Sequence, residues 1–272
     1  MNVLEVEKLE KSFGGVKAVD GISFAVEEGE TVGIIGPNGA GKTTLFNLIT
    51  GFYRVDSGTI LFRGRDITSV SPYRLHRLGI ARTFQNLRLF SGLTVFENVL
   101  APILRRDGYN VFSCLFRSTE YFVKESKAEG KAKDLIDFFQ LSGKEDYPAN
   151  SLPYGEQRKL ELARALALQP KLLLIDEPGA GMNPREIQDL LQTLREVRER
   201  FSLSMAVIEH QMGLVMNISD KVVVMDFGEK IMEGSPAEVR KDRRVIEAYL
   251  GEEFGQWPGR NGVWQKEHVD EN

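Results

Sequence analysis

The stretch Gly36 to Thr43, GPNGAGKT, decides the fold of this chain. It matches the pattern Gly-x-x-x-x-Gly-Lys-Ser/Thr, with the apolar run ETVGII before it and the helix-like run TTLFNLIT after it. A strand, a glycine-rich turn and a helix in this order form the context in which the pattern wraps a phosphate group. An ordinary glycine-rich turn is the alternative, and the strand and helix on either side count against it.

The chemistry of this loop follows from its residue types. The backbone N–H groups of Gly39 to Thr44 converge on a β-phosphate at the positive end of a helix, and Lys42 bridges β- and γ-phosphate oxygens. The Thr43 hydroxyl is placed to coordinate Mg²⁺. The residues of this loop that we predict to bind the phosphates are Gly36, Pro37, Asn38, Gly39, Ala40, Gly41, Lys42, Thr43 and Thr44.

A second motif, KLLLIDEP at residues 171–178, is an apolar strand that ends in two carboxylates. Strand alternation points Asp176 and Glu177 in different directions, so one can hold Mg²⁺ while the other polarises an attacking water. We assign Asp176 to the metal and Glu177 to the general base. Taken alone, the motif fits a strand that stops at an acidic turn equally well, and the phosphate loop makes the catalytic interpretation the stronger one.

Composition limits the class of protein. The chain has 272 residues, 42% of them hydrophobic, and 35 basic against 39 acidic side chains, so no overall basic excess favours nucleic acid as a partner. Cys114 is the only cysteine, which excludes an intramolecular disulfide and a cysteine-rich metal site. The N-terminus lacks the features of a signal peptide, and no apolar run approaches the roughly 20 residues of a membrane helix. If the protein works at a membrane, we expect other subunits to span it.

The order of the apolar runs predicts an α/β fold with a mixed sheet. The runs before Gly36, Asp176 and Glu209 indicate buried parallel strands, and the first third indicates an antiparallel β subdomain whose first strand, VLEVEKL, has the alternation of an edge strand. TVFENVLAPILRR and ESKAEGKAKDLIDFFQL have helical spacing. We expect one domain over 1–251 with a helical subdomain inserted at about 88–168. The polar tail, 252–272, is either mobile or docked through Trp257 and Trp264.

A third motif, NSLPYGEQRKLELARAL at residues 150–166, lies between the other two. Together the three resemble the nucleotide-binding subunits of ATP-binding cassette (ABC) transporters, over residues 3 to about 251. The resemblance implies a head-to-tail dimer that encloses two ATP molecules, in which this signature motif caps the γ-phosphate held by the partner. The implied partner-site residues are Leu152, Pro153, Tyr154, Gly155 and Glu156. The common pattern is Leu-Ser-Gly-Gly-Gln, and Pro153 offers neither a hydroxyl nor an N–H, which weakens closure by about 1–3 kcal/mol.

The resemblance also assigns roles to single residues. Phe13 matches the ring that stacks on adenine, although a lone Phe is more often part of a core. Gln85 matches the glutamine that touches Mg²⁺ and the attacking water, and His210 matches the histidine that contacts the γ-phosphate. The implied catalytic residues are therefore Glu177, His210, Gln85 and Lys42, and the implied Mg²⁺ ligands are Thr43, Gln85 and Asp176. The loop GAGMNP, 179–184, corresponds to the dimer interface, with Asn183 where Asp is common.

Within this family, the chain looks like the ATPase subunits of branched-chain amino acid importers, because of the Tyr-Gly signature, the Gly-Met-Asn-Pro loop and the segment GYNVFSCLFRSTEYF. This implies integral membrane permease subunits, an extracytoplasmic substrate-binding protein, and a peripheral position on the cytoplasmic face of the membrane. Phe112, Phe116, Tyr121 and Phe122 either contact a membrane subunit or pack within the helical subdomain.

Four other functions stay open at this point. The transporter alternatives are an importer of urea or short-chain amides and a lipopolysaccharide exporter. A soluble ABC protein of translation or DNA repair is disfavoured by the single cassette and the acidic balance. An unrelated phosphate-loop kinase would require the signature, Gln85 and His210 all to be coincidence.

Overall fold

The computed structural model describes residues 1–83, 85, 87–106 and 119–250, apart from the side chains of residues 119–122 and 250. Its strands are β1 (Asn2–Phe13), β2 (Val16–Glu27), β3 (Thr31–Ile35), β4 (Ser57–Phe62), β5 (Arg65–Asp66), β6 (Ile80–Arg82), β7 (Leu172–Asp176), β8 (Ser204–Ile208), β9 (Lys221–Asp226) and β10 (Glu229–Gly234). Its helices are α1 (Lys42–Ile49), α2 (Pro72–Leu78), α3 (Val95–Arg106), α4 (Thr119–Phe138), α5 (Tyr154–Leu166), α6 (Pro184–Phe201), α7 (Met212–Ile218), α8 (Pro236–Val239) and α9 (Arg243–Leu250), with a 3₁₀ turn at Ala149–Ser151.

The larger sheet has the strand order β10-β9-β3-β8-β7-β6 within the described residues. The neighbouring strands from β9 through β3, β8 and β7 to β6 pair in parallel, while β10 is antiparallel to β9. Every residue of β3, β7 and β8 is buried, because helices or the second sheet cover both faces. The predictions of buried parallel strands and of a mixed α/β fold are confirmed.

The smaller sheet is antiparallel, with the order β2-β1-β4-β5 in the part of the chain that the structure describes. The prediction that the first strand lies at an edge is wrong, because β1 pairs with β2 on one side and with β4 on the other. Its alternation has another cause: one face packs on the core through Leu4, Val6 and Leu9. The opposite face carries charged side chains, and an internal strand with one exposed face gives the same pattern.

The helices α3, α4 and α5 contact one another and share a core with one face of the larger sheet. Val99, Ile136 and Leu160 from the helices lie in the same buried cluster as Leu173 and Met205 from the strands. Both helical patterns noted in the sequence therefore form helices, and α4 begins six residues before the stretch that predicted it, ESKAEGKAKDLIDFFQL. The limits of a helical subdomain at 88–168 and of a domain at 1–251 remain predictions.

Several predictions fall on residues outside the described part of the chain. These are the roles of Phe112 and Phe116, of the side chains of Tyr121 and Phe122, of Cys114, and of the tail with Trp257 and Trp264. Among the helices that the structure describes, none combines the length and the apolar character needed to cross a membrane.

Candidate nucleotide-binding and catalytic site

The predicted site residues meet at the carboxyl ends of four neighbouring parallel strands. The phosphate loop follows β3, Glu177 follows β7, His210 follows β8 by two residues, and Gln85 follows β6. Ligands of open α/β sheets bind at this edge, because the loops that leave adjacent strands converge there. The strand order therefore brings together residues that lie up to 174 positions apart in the chain.

The phosphate loop packs against backbone atoms of both sheets. A Cβ atom at Gly36 would lie 2.1 Å from the carbonyl oxygen of Met225 in β9, and one at Gly41 would lie 2.1 Å from that of Ala18 in β2. Side chains are excluded at both positions, since real Cβ atoms do not approach oxygen so closely. Gly41 is also the N-cap residue of α1, and no side chain caps this helix start, so the positive end of the helix faces the loop.

Lys42 is almost completely buried, and its ammonium lies inside the curve of the loop. The Nζ atom donates hydrogen bonds to the carbonyl oxygens of Gly36, at 2.7 Å, and Pro37, at 2.8 Å. A buried cation at a helix start, surrounded by glycine-rich backbone, is suited to an anion such as a phosphate group.

A cleft of about 340 Å³ adjoins this loop, and its walls include all three predicted Mg²⁺ ligands, Thr43, Gln85 and Asp176. One carboxylate oxygen of Asp176, Oδ1, is buried and has no hydrogen-bond partner among the described residues. A hydroxyl, an amide oxygen and a buried carboxylate oxygen without a hydrogen-bond partner fit Mg²⁺, which takes oxygen ligands and usually binds one or two carboxylates together with phosphates and water. No group of three or more His, Cys, Asp or Glu side chains in the described ranges competes as a metal site.

Arg82, at the end of β6, is a site residue that the sequence did not reveal. Its Nη2 atom donates to Asp176 Oδ2 at 2.7 Å, and both side chains are almost entirely buried. Its Nη1 atom donates to Asn47 Oδ1 on α1 at 2.8 Å and to Thr50 Oγ1, at the C-terminal end of that helix, at 3.0 Å. Arg82 therefore fixes the orientation of the Asp176 carboxylate and ties it to the helix that follows the phosphate loop.

The predicted catalytic residues Gln85, Glu177 and His210 lie close together. Gln85 Nε2 donates to Glu177 Oε2 at 2.6 Å, and His210 Nδ1 lies 4.0 Å from the same oxygen. Burial raises the pKa of the Glu177 carboxyl above its usual value, and His210 opposes this while the charges of Asp176 and Glu209 reinforce it. A carboxylate with a raised pKa is a stronger base, as the activation of a water molecule requires.

Glu209 is a second site residue that sequence reasoning missed. Its side chain is fully buried, and its Oε1 atom accepts hydrogen bonds from the backbone N–H groups of His210, at 2.8 Å, and Gln211, at 3.1 Å. Its Oε2 atom accepts from the N–H of Gly179 at 3.0 Å, and Gln211 Nε2 donates to the carbonyl of Gly179 at 3.1 Å. The N–H and the carbonyl of Gly179, in the loop after Glu177, are thus both hydrogen-bonded to the segment that carries His210.

The signature residues lie at the start of α5. Pro153 precedes the first helical residue, Tyr154, and no side chain caps the helix. Ser151 cannot replace the missing serine hydroxyl as it stands, because its Oγ atom donates to the carbonyl of Pro148 at 2.8 Å. In the part of the chain that the structure describes, none of Leu152, Pro153, Tyr154, Gly155 and Glu156 lines the cleft beside the phosphate loop.

Phe13 is exposed at the end of β1, so the alternative that it belongs to a core does not hold. Its ring meets that of Tyr53 edge to face at 5.2 Å, and Tyr53 and Phe52 line the cleft.

Asn183 has a structural role, which the run Asn-Pro-Arg-Glu in the sequence indicates. Its Oδ1 atom accepts from the N–H groups of Arg185 and Glu186, and Glu186 returns a bond to the N–H of Asn183, which forms a capping box at the start of α6.

A glycine-rich loop between a strand and a helix, with an aspartate and a glutamate at the end of a nearby parallel strand, defines a phosphate-loop nucleoside triphosphatase. Comparison with known proteins narrows this class. Residues 19–180 match the family profile described as ABC transporter, and residues 229–255 match that of the branched-chain amino acid ATP-binding cassette transporter. The chain belongs to the ABC transporter family, and it is an ATP-binding, ATP-hydrolysing subunit.

Curated relatives and solved structures agree with this assignment. The chain is 41% identical over 250 residues to the high-affinity branched-chain amino acid transport ATP-binding protein BraF of Pseudomonas aeruginosa, with 92% of this chain and 98% of the relative covered. It is 39% identical to LivG of Escherichia coli K12, a protein of the same description, with the same coverage. A nucleotide-free ATP-binding cassette from an ABC transporter aligns with a TM-score of 0.79 and 36% identity, over 93% of this chain and 100% of that one. The structure of the ADP conformation of MJ1267, an ATP-binding cassette of an ABC transporter, gives a TM-score of 0.79 and 35% identity, again over 93% of this chain and 100% of that one.

These findings confirm the resemblance and the phosphate-loop ATPase fold that the sequence predicted. They exclude an unrelated phosphate-loop kinase, and they do not favour a soluble ABC protein of translation or DNA repair.

Proposed function

We propose that this chain is the ATPase subunit of a branched-chain amino acid importer. The ATPase part of this proposal rests on the contact of 2.6 Å between Gln85 and Glu177, with His210 close by. These side chains lie beside the cleft that Thr43 and Asp176 line. The substrate part is supported by relatives that share about two fifths of their residues with this chain. The match of residues 229–255 to the branched-chain amino acid profile supports it independently of the phosphate loop.

In the proposed reaction, the phosphate loop and Lys42 bind the β- and γ-phosphates, and Phe13 stacks on the adenine ring. Thr43, Gln85 and Asp176 hold Mg²⁺, which neutralises charge on the phosphate oxygens when it is bound. Glu177 accepts a proton from water as the water oxygen bonds to the γ-phosphorus, and the bond to the bridging oxygen of ADP breaks. Gln85 orients this water, and His210 contacts the γ-phosphate from the segment that follows β8.

The signature residues then act on the nucleotide of a second ATPase subunit, either a copy of this chain or a sister chain. The uncapped start of α5 leaves backbone N–H groups near Tyr154 and Gly155 that suit an anion only when the partner presents one. Because Pro153 supplies no hydroxyl, we expect closure of this dimer to be weaker by about 1–3 kcal/mol than with the common serine.

The remaining parts of the proposal concern the assembly. Residues 1–251 form one cassette, the helices of 88–168 transmit closure, and 252–272 are a tail. Integral membrane permease subunits bind the cassette at the cytoplasmic face of the membrane, and an extracytoplasmic protein delivers the substrate. The chain is peripheral in this arrangement, and nucleic acid has no part in it.

Affinity purification of the tagged chain from detergent-solubilised native membranes tests the assembly. Mass spectrometry should identify multi-spanning subunits and a related ATPase, and capture of ribosomal or DNA-repair proteins in their place would overturn the transport role. The captured complex, reconstituted in proteoliposomes with its binding protein, tests the substrate. Leucine, isoleucine or valine should stimulate ATP hydrolysis, whereas stimulation by urea or acetamide alone would assign an amide importer. A Lys42→Ala complex controls for contaminating ATPases.

A further inference from the structure

The hydroxyl of Tyr154 joins segments that are distant in sequence. It donates a hydrogen bond to the carbonyl oxygen of Ala180 at 3.1 Å, in the loop that follows Glu177. It accepts hydrogen bonds from Nε of Arg158, at 3.2 Å, and from Nη2 of Arg158, at 2.9 Å. A phenol has one donor and accepts about two bonds, so its whole capacity is used although the residue is 42% exposed.

Arg158 extends this contact to the glutamine loop. Its Nη2 atom also donates to the main-chain carbonyl of Gln85 at 2.7 Å, and its Nη1 atom lies 3.2 Å from Oε2 of Glu161. The side chains of Arg158 and Glu161 are both buried, so the rigid guanidinium is held in one orientation. The start of α5, residue Gln85 and residue Ala180 are thereby bound into one unit.

Two residues of this unit, Gln85 and Ala180, flank Glu177, the proposed general base. Ala180 is three residues after Glu177, and the side chain of Gln85 bonds directly to Glu177. If the signature motif only presented backbone N–H groups to a partner, it would not require these side-chain contacts to Ala180 and Gln85. The common pattern has glycine where this chain has Tyr154, and a glycine has no side chain with which to reach Ala180.

We propose that Tyr154 is a positioning residue that orders the interface loop, residues 179–184, against the chain's own signature helix before a partner subunit binds. Ordering the loop in advance lowers the entropy cost of dimer closure and so favours the closed dimer. The missing hydroxyl at Pro153 has the opposite effect, because it weakens closure. The effect on turnover rests on the proposed ATPase function. The ordering of the loop does not.

The first test uses Tyr154→Phe, which keeps the ring over Arg158 and removes only the hydroxyl. Tyr147→Phe, at another exposed tyrosine, is the matched control. Amide hydrogen exchange of the full chain without nucleotide is followed by mass spectrometry over residues 179–183. Loss of a net hydrogen bond should speed exchange about fivefold in Tyr154→Phe and leave the control unchanged. Exchange in Tyr154→Phe at the rate of the unsubstituted chain would overturn the proposal.

The second test measures ATP hydrolysis against protein concentration. Tyr154→Phe should raise the concentration at half-maximal specific activity about fivefold, while the affinity of the monomer for a fluorescent ATP analogue stays the same. An unchanged concentration dependence, with faster loop exchange, would overturn the role in closure. If the unsubstituted chain hydrolyses no ATP under any condition, the proposed function fails, and the exchange experiment alone decides the role of Tyr154.

Discussion

Replacing Arg82 with methionine should destabilise the protein strongly, because it removes one partner of a buried ion pair. Arg82 Nη2 and Asp176 Oδ2 are 2.7 Å apart, with side-chain exposures of 4% and 3%. The other oxygen of Asp176 already has no partner in the described chain, so the substitution leaves a buried carboxylate without a cation. Thr50 loses less, since its hydroxyl still donates to the carbonyl of Phe46.

Breaking one side of a buried pair costs about 3–5 kcal/mol. For a chain of this size, that free energy of unfolding corresponds to a fall in Tm of roughly 6–20 °C. Urea denaturation followed by far-UV circular dichroism is the suitable assay, because this signal reports on the helices and strands of the fold as a whole.

Two further variants make this prediction decisive. Lys11→Met breaks the more exposed ion pair with Asp56, which has a similarly short N to O distance of 2.6 Å, and it should cost less than about 1 kcal/mol. The double variant Arg82→Met with Asp176→Leu removes both charges, and it should recover most of the lost stability. If Arg82→Met costs no more than Lys11→Met, the pair is solvated and Asp176 does not lie in a dry site.

Four other outcomes follow from the same geometry. Glu177→Gln should keep ATP binding, lower hydrolysis by about 10²–10⁴-fold and accumulate an ATP-bound dimer; monomer alone in light scattering at saturating ATP and Mg²⁺ would contradict this. Lys42→Ala should lose most of its nucleotide affinity, and an unchanged titration would remove the phosphate loop from the site. The pKa of Glu177 is raised from its usual value of 4.5, so as the pH falls the active deprotonated form begins to be lost before pH 4.5 is reached. A plot of kcat against pH should therefore fall on the acid side at a pH above 4.5, and Glu177→Gln should lack this fall. Glu209→Gln should lower kcat with little change in KM for ATP, and Glu199→Gln, at an exposed position on α6, serves as its control.

Much of the fold was predictable because the motifs are local. The phosphate loop, the strand before Asp176 and the helical spacing around residues 94–106 each identify their element from neighbouring residues. Arg82 and Glu209 were not predictable in this way. The partner of Arg82 lies 94 positions along the chain, and only the adjacency of β6 and β7 in the sheet brings the two together. No periodicity in the sequence encodes which strands are neighbours.

The misplaced first strand has a related cause. Alternation of apolar and charged residues reports that one face of a strand is exposed, and it carries no information about hydrogen-bonding neighbours on either side. In β1, the exposed face and the two paired edges coexist, so the pattern was correct and the inferred position was wrong.

The packing of the phosphate loop has a consequence for how this protein is divided or shortened. The carbonyl oxygens that fill the space beside Gly41 and Gly36 belong to Ala18 and Met225, far from the loop in the chain and on different sheets. A truncated chain that begins at Thr31 would preserve every letter of GPNGAGKT and would still pass any motif search. It would nevertheless have lost the backbone against which Gly41 of the loop packs, because that backbone belongs to a strand, β2, that lies outside the motif.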